Sequence, residues 1–329
     1  MSNVSSFEEG PGLFESRPES QDDDFFESLI RACRQRPGIS VAVCWPCSSA
    51  SLMGAIDAAT RGVIQPVLVG PRSEIEAIAE AYGLNLDAYS IVDADTEVDA
   101  AAKCVQLCRS REAAALMKGS LHTDVLMHAV LKEEALRTSR RVSHVFVMEA
   151  PLYHRRALLI TDAVINISPT LEDKVDIVRN AIDLAHALGI PEPRVAILSA
   201  VETVNPKIAS TVDAAALCKM ADRGQITGGI LDGPLAFDTA VSAEATRAKN
   251  LRSPVAGEAD ILVVPDLEAG NMLAKELEYL GGARLAGIVL GAKVPIILTS
   301  RADSAESRVA SCAIASFFAA TDVRSITDG

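Results

Sequence analysis

The feature that most constrains this chain is an alternation of short apolar runs with helical stretches. The runs Ser40–Val43, Pro66–Val69, Ala88–Val92, Ala114–Met117 and His144–Met148 read as strands, with helices between them near 49–62, 72–82, 97–111 and 121–137. A strand so apolar needs cover on both sides, so the rhythm predicts a sheet with helices on both faces. A second group repeats the pattern. Its strands are expected at Leu158–Ile160, Ala163–Ile167, Val195–Leu198, near Gly229–Leu231, Ile261–Val264 and Leu285–Leu290, and its helices near 172–188, 207–222 and 270–280. Val294–Thr299 and a last helix from about Asp303 to Ala320 close the chain. Gly189 and Pro191 stop one helix cleanly, Gly as a cap and Pro because it cannot continue it. With 329 residues there is room for about two domains at roughly 150 residues each. The expected fold class is therefore α/β, two α/β lobes with a cleft between them, and ligands in such folds bind at strand ends and domain interfaces.

Composition excludes several classes. Hydrophobic residues make up 49% of the chain, which rules out disorder throughout. No apolar run approaches the roughly 20 residues that span a bilayer, so no membrane partner is expected. The acidic, polar residues 1–24 read as a loose tail without the basic region and apolar core of a secretory signal. Lys and Arg number 31 against 44 Asp and Glu, a net charge of −13, which excludes a basic nucleic-acid footprint. Seven cysteines, an odd number, read as reduced thiols in the cytoplasm. Cys44 and Cys47 form a C-x-x-C pair after a strand, either a redox pair or a coincidence in a turn. Cys104 and Cys108, four apart on a helix, read as a packed face. No second cysteine pair is present and the five histidines are scattered, so no metal is expected.

The chain has no G-x-x-x-x-G-K-[ST], no G-x-G-x-x-G after a strand, no G-x-S-x-G and no H-E-x-x-H. Polar clusters sit instead at predicted strand ends. Lys118-Gly119-Ser120-Leu121-His122-Thr123-Asp124 follows the strand Ala114–Met117. A Gly there lets backbone approach a ligand closely, and Ser120 and Thr123 place hydroxyls at a helix start, where free N–H groups attract anions. The alternative is a capped helix with a surface Lys. Thr299-Ser300-Arg301-Ala302-Asp303-Ser304-Ala305-Glu306 opens the last helix, with Arg301 able to fork onto a phosphate or carbonyl oxygen. The corners at Asp232-Gly233-Pro234, Asp266 to Asn271, and Ser199 to Glu202 are either turn chemistry or parts of one ringed cleft.

In order and spacing these segments resemble the phosphate acetyltransferase and phosphate butyryltransferase family, from about residue 25 to residue 322. The resemblance rests on Lys118-Gly119-Ser120 with His122-Thr123-Asp124, Ser143-His144-Val145-Phe146, Ile160 to Asn166, Leu198 to Glu202, Asp232 to Asp238, Pro265 to Asn271, and Thr299-Ser300-Arg301. It implies a reversible reaction in which an acyl phosphate and coenzyme A give acyl-CoA and phosphate, acetyl first and butyryl as the alternative. It implies an isocitrate/isopropylmalate dehydrogenase-like fold and a homodimer, with no tightly bound cofactor and coenzyme A as co-substrate. The first lobe takes back the C-terminal segment in that fold, giving domains at 25–155 plus 298–329 and at 156–297. Ser300 and Arg301 match the family's catalytic Ser and substrate-binding Arg, and Lys118, Ser120, Thr123, Asp232, Asp266 and Asn271 become substrate-binding candidates. Some members have Asp at the position of Ser307, proposed as the thiol's base, so here that role falls to Asp303 or Glu306. Arg140, Arg141, Arg155 and Arg156 are either coenzyme A contacts or an ordinary solvated face. Two other readings stay open: a coenzyme A or phosphate sensor without turnover, and a metal-dependent dehydrogenase on the same fold.

Overall fold

A computed structural model of the chain describes residues 24–155, 157–299 and 303–321. Its elements, in order, are α1 (Phe25–Cys33), β1 (Ile39–Cys44), α2 (Ser49–Thr60), β2 (Ile64–Gly70), α3 (Arg72–Tyr82), β3 (Ser90–Asp93), α4 (Glu97–Arg109), β4 (Ala115–Lys118), α5 (Thr123–Lys132), β5 (Ser143–Glu149) and β6 (Leu158–Thr161). There follow α6 (Leu171–Ala187), β7 (Arg194–Leu198), α7 (Ala209–Asp222), β8 (Ile230–Leu235), α8 (Phe237–Val241), α9 (Ala243–Ala248), β9 (Ile261–Val263), α10 (Leu267–Tyr279), β10 (Arg284–Leu290), β11 (Ile296–Ile297) and α11 (Ala305–Ala320). The loose-tail reading falls on residues 1–23, outside the described residues. Asp24 is described and caps α1, its carboxylate accepting from the Glu27 N–H at 3.1 Å.

The two predicted halves share one sheet of 11 strands, in the order β3-β2-β1-β4-β11-β10-β5-β6-β9-β7-β8. The outer five strands on the first side, β3 to β11, run parallel. The four on the second side, β6, β9, β7 and β8, are also parallel to one another. Between them, β10 is antiparallel to β11 and to β5, and β5 is antiparallel to β6. The two parallel sets therefore point in opposite directions along the sheet. The C-terminal ends of β1, β4 and β11 lie at one end of the strands, and those of β6, β9 and β7 at the other.

Alternating side chains build the core. Val41, Val43, Met117, Val145, Val147, Ile288 and Ile297 point to one face, where α1, α2, α6, α7 and α11 close a single apolar cluster across both halves. The opposite face is covered in two patches. Leu116, Val289 and Ile296 pack under α4 and α5, while Phe146, Met148, Ile160 and Leu262 pack under α8 and α10. Helices thus cover both faces, as the alternation requires.

Several expected boundaries differ. Residues 163–167 form no strand. The buried Asp162 carboxylate accepts from the N–H groups of Val164, Ile165 and Asn166 at 2.9, 3.0 and 3.1 Å, and this folds the apolar run into a turn. The strand expected at Ala88–Val92 starts at Ser90, because the Asn85 side chain accepts from the Asp87 N–H and holds a turn ahead of it. Of Val294–Thr299 only Ile296–Ile297 pair as a strand. The helix expected over 121–137 ends at Lys132, with a single 3-10 turn beyond it. The short helices α8 and α9 span too few residues to show a helical period and were not expected. Asp232 and Pro234 lie inside β8 rather than at a corner after it, a place open to proline because β8 is an edge strand.

Candidate functional site

The site is built where β1 and β4 end side by side. Gly119 and Ser120 leave β4 and dock on the turn after β1: the Gly119 N–H donates to the Cys44 carbonyl and the Ser120 N–H to the Trp45 carbonyl, both at 2.8 Å. A Cβ at Gly119 would lie 2.3 Å from the Trp45 oxygen and 2.5 Å from the Cys44 oxygen. Glycine is thus required for a close approach of backbone to backbone, where the sequence suggested approach to a ligand. The Ser120 hydroxyl donates to the same Trp45 carbonyl at 2.9 Å, so its proton is committed to this junction.

The docked turns enclose a cavity of about 350 Å³ lined by Cys47, Ser48, Ser51, Lys118, Thr299 and Arg308, among others. Lys118 is 8% exposed and Arg308 7%. No carboxylate occurs among the described lining residues, although the chain carries −13. The N-terminus of α2 opens on the same space. Ser48 caps it, accepting from the Ser51 N–H, and no acidic residue occupies its first turn. Two buried cations, hydroxyls and a helix N-terminus make a site for an anion with several oxygens.

Sequence reasoning missed Arg308. It comes from α11 rather than from a strand end, and its signal is that it is the single charge in the run Ser307 to Ala320. Its Nη1 donates to the Asp303 carbonyl at 2.7 Å. The C-x-x-C pair behaves as a turn. Cys44 is buried, and burial, with Glu74 nearby, pushes the Cys47 thiol up to about 12, opposite to what a redox thiolate needs. Cys104 and Cys108 pack inside the α4 cluster.

The other candidates divide. Ser300 and Arg301 lie outside the described residues, as does Arg156. Thr123 opens α5 and is not part of the cavity wall. Asp266 caps α10, accepting from the Ala269 N–H at 2.9 Å, and Asn271 donates to the Ala163 carbonyl at 3.2 Å. The Asp232 carboxylate accepts from the Gly233 N–H. None of these three lines the Lys118 cavity, and the opposed strand directions set Asp266 and Asn271 at the other end of the sheet. Glu306 is exposed in the first turn of α11, and neither it nor Asp303 is in the cavity wall.

Three arginines considered for coenzyme A are engaged. Arg140 is ion-paired with the buried Asp183, Arg141 bonds Asn166 and approaches Asp173, and Arg155 pairs with Asp260 and Glu258. A larger cavity of about 880 Å³ beside α6 includes Arg140 and Arg179, but their charges are answered by Asp183 and Asp176. Among the described residues no cluster of His, Cys, Asp or Glu gathers that would hold a metal ion, and no helix is long and apolar enough to cross a membrane.

Comparison with known proteins gives the same direction. The family model described as "Phosphate acetyl/butaryl transferase" matches residues 95–316. A phosphate acetyltransferase of Rhizobium meliloti is 59% identical over 296 residues, covering 90% of this chain and 93% of that protein. A phosphate butyryltransferase of Clostridium acetobutylicum is 41% identical over 295 residues, covering 89% and 98%. Among solved structures, a branched-chain phosphotransacylase from Enterococcus faecalis V583 superposes with a TM-score of 0.75 at 32% identity, covering 86% of this chain and 99% of that one. A 4-hydroxythreonine-4-phosphate dehydrogenase from Klebsiella pneumoniae shares the fold alone, with a TM-score of 0.54 at 14% identity over 86% and 99% of the chains. The α/β architecture is thus dehydrogenase-like, and on the family match and these identities the chain belongs to the phosphate acetyl/butyryltransferase family.

Proposed function

We propose that this chain transfers an acyl group, acetyl first, reversibly between acyl phosphate and coenzyme A. The observation that carries the reading is the cavity lined by the buried Lys118 and Arg308, with no carboxylate among its described lining residues, whose wall residue Thr299 is followed directly by Ser300-Arg301. The thiol of coenzyme A attacks the acyl carbonyl, the bond from acyl carbon to phosphate oxygen breaks, and phosphate leaves with that electron pair. Since the nucleophile arrives with the substrate, no protein nucleophile is needed. The protein's work is to orient thiol against carbonyl and to stabilise the oxyanion and departing phosphate. We assign the oxyanion and phosphate to Ser300 and Arg301, with Lys118 neutralising phosphate charge. Asp303 or Glu306 is the candidate that takes the thiol proton; Asp303 lies next to the cavity rather than in its wall, its backbone carbonyl accepting from the lining residue Arg308. Coenzyme A is a co-substrate in this scheme, not a resident cofactor.

We also propose a cytoplasmic homodimer, divided at 25–155 plus 298–329 and 156–297. The packing of α11 against α1 and α2 supports giving the C-terminal segment to the first domain. All seven cysteines are free thiols, in keeping with a reducing compartment. Butyryl transfer is the second reading, supported by the Clostridium acetobutylicum relative. The test is thioester absorbance with coenzyme A and acetyl, propionyl and butyryl phosphates in turn. Turnover fastest with acetyl phosphate is expected, and silence with all three donors would overturn the reading.

A further inference from the structure

A third cavity, of about 350 Å³, opens where β4 and β11 begin, at the far end of β4 from Lys118. Its floor is apolar and built from the buried Leu136, Val294 and Phe318. Its rim carries three exposed cations, Arg109 and Arg111 at the end of α4 and Lys293 from the connection between β10 and β11. No carboxylate occurs among the described lining residues. Arg109 is ion-paired at 3.8 Å with Glu133, which lies outside the wall, whereas Arg111 and Lys293 make no ion pair with any described residue. The backbone singles out Arg111. At the end of α4 the Glu112 N–H donates to the Leu107 carbonyl at 2.9 Å and the Arg111 N–H to the Cys108 carbonyl at 3.1 Å, with Arg111 in the left-handed region at φ 65°. That conformation crowds a Cβ, so glycine is its usual occupant and asparagine the next. The chain keeps to this elsewhere: Gly62 after α2, Gly189 after α6, Gly224 after α7 and Asn250 after α9 hold the same position with positive φ. After α4 it keeps an arginine instead, and the side chain stands on the cavity rim. The end of α4 does not call for it, since Arg109 already places a cation in the last turn. Strain retained at one such point marks a residue kept for what it binds.

We propose that this cavity is a second binding site, for a small amphiphilic anion. Its carboxylate or phosphate oxygens lie between Arg111 and Lys293, and its apolar body lies on Leu136, Val294 and Phe318. The volume is at the low end of ligand pockets, which limits the body to a short chain or a single ring. The site lies apart from the Lys118 cavity and does not rest on the acyl-transfer reading.

Calorimetry on the full chain tests it with four probes. Hexanoate and hexyl phosphate carry the two head groups on one body, hexanol lacks the charge, and acetate lacks the body. Hexanoate or hexyl phosphate is expected to bind about tenfold or more tightly than hexanol and acetate, the tighter of the two naming the head group. Arg111→Gly and Lys293→Gln should each weaken that binding about fivefold or more. Arg111→Gly should also raise the Tm by about 2–4 °C, because it relieves the left-handed backbone, so its loss of binding is not a loss of fold. If its Tm falls instead, the arginine also balances the end of α11, whose last turn holds no basic residue, and Lys293→Gln decides by the same binding criterion. Failure of both amphiphiles to bind would overturn the proposal, as would hexanol or acetate binding as tightly as they do. Binding that both variants leave within about twofold of the wild type lies elsewhere on the chain and would overturn it too.

Discussion

His144 offers a quantitative test of how the centre of the sheet is built. It lies in β5, 1% exposed, with its ring against Phe146 at a centroid distance of 4.4 Å and across from Gly287, where a Cβ would come within 2.8 Å of Nε2. Its Nδ1 has no hydrogen-bond partner among the described residues. Burial drives its pKa from 6.5 down to about 3, so the folded chain holds a neutral imidazole. The unfolded chain takes up a proton near pH 6.5 and the folded one does not until about pH 3. The stability this gives is complete above pH 6.5 and is lost progressively as the pH falls towards 3. At 1.36 kcal/mol per unit the whole span is worth about 5 kcal/mol, and the part between pH 7 and pH 5 about 2 kcal/mol. His144→Leu, of similar volume, removes the titration. Urea unfolding at pH 7 and pH 5 should show the wild-type protein losing about 2 kcal/mol more than the variant over that interval. Equal losses in both proteins would refute the assignment of a neutral, unprotonatable ring.

Three further outcomes are expected. Gly119→Ala drives a Cβ into the Trp45 and Cys44 oxygens and loosens the hydrogen bonds that join β4 to β1. It should cost about 3 kcal/mol of stability by denaturant titration, and an unchanged midpoint would contradict the close approach. Arg301→Ala should lower turnover on the order of 100-fold with the fold intact by circular dichroism, and activity near that of the wild type would remove Arg301 from the mechanism. A chelator should leave acyl transfer unchanged, whereas loss restored by a divalent cation would call for a metal-dependent scheme.

Much of the fold was legible because the strands are apolar on both sides. β1, β4, β5 and β10 fall close to the runs that alternation marks, since a strand under helices on both faces has little freedom to be polar. Ala163–Ile167 misled for the same reason: its composition suits a strand, but the Asp162 carboxylate claims its N–H groups first. The opposed directions of the two strand sets were not legible at all, since no residue pattern records which end of a strand faces which. That is why nothing in the sequence shows that Asp266 and Asn271 lie outside the wall of the Lys118 cavity. Lys118 and Ser120 are legible because they follow an apolar strand directly, while the bracing of a turn by Ser120 is not. Arg308 escaped because its meaning lies in burial, which a lone arginine in an apolar helix hints at and only packing shows.

The claim on which the mechanism turns is that the acyl group passes straight to the thiol while phosphate sits among the cations of the cavity, with no acyl group held on the protein. Incubating the enzyme with acetyl phosphate and labelled inorganic phosphate tests it, with and without coenzyme A. Label should enter acetyl phosphate only when coenzyme A is present. Incorporation at a comparable rate without it would show a covalent acyl-enzyme and contradict direct transfer.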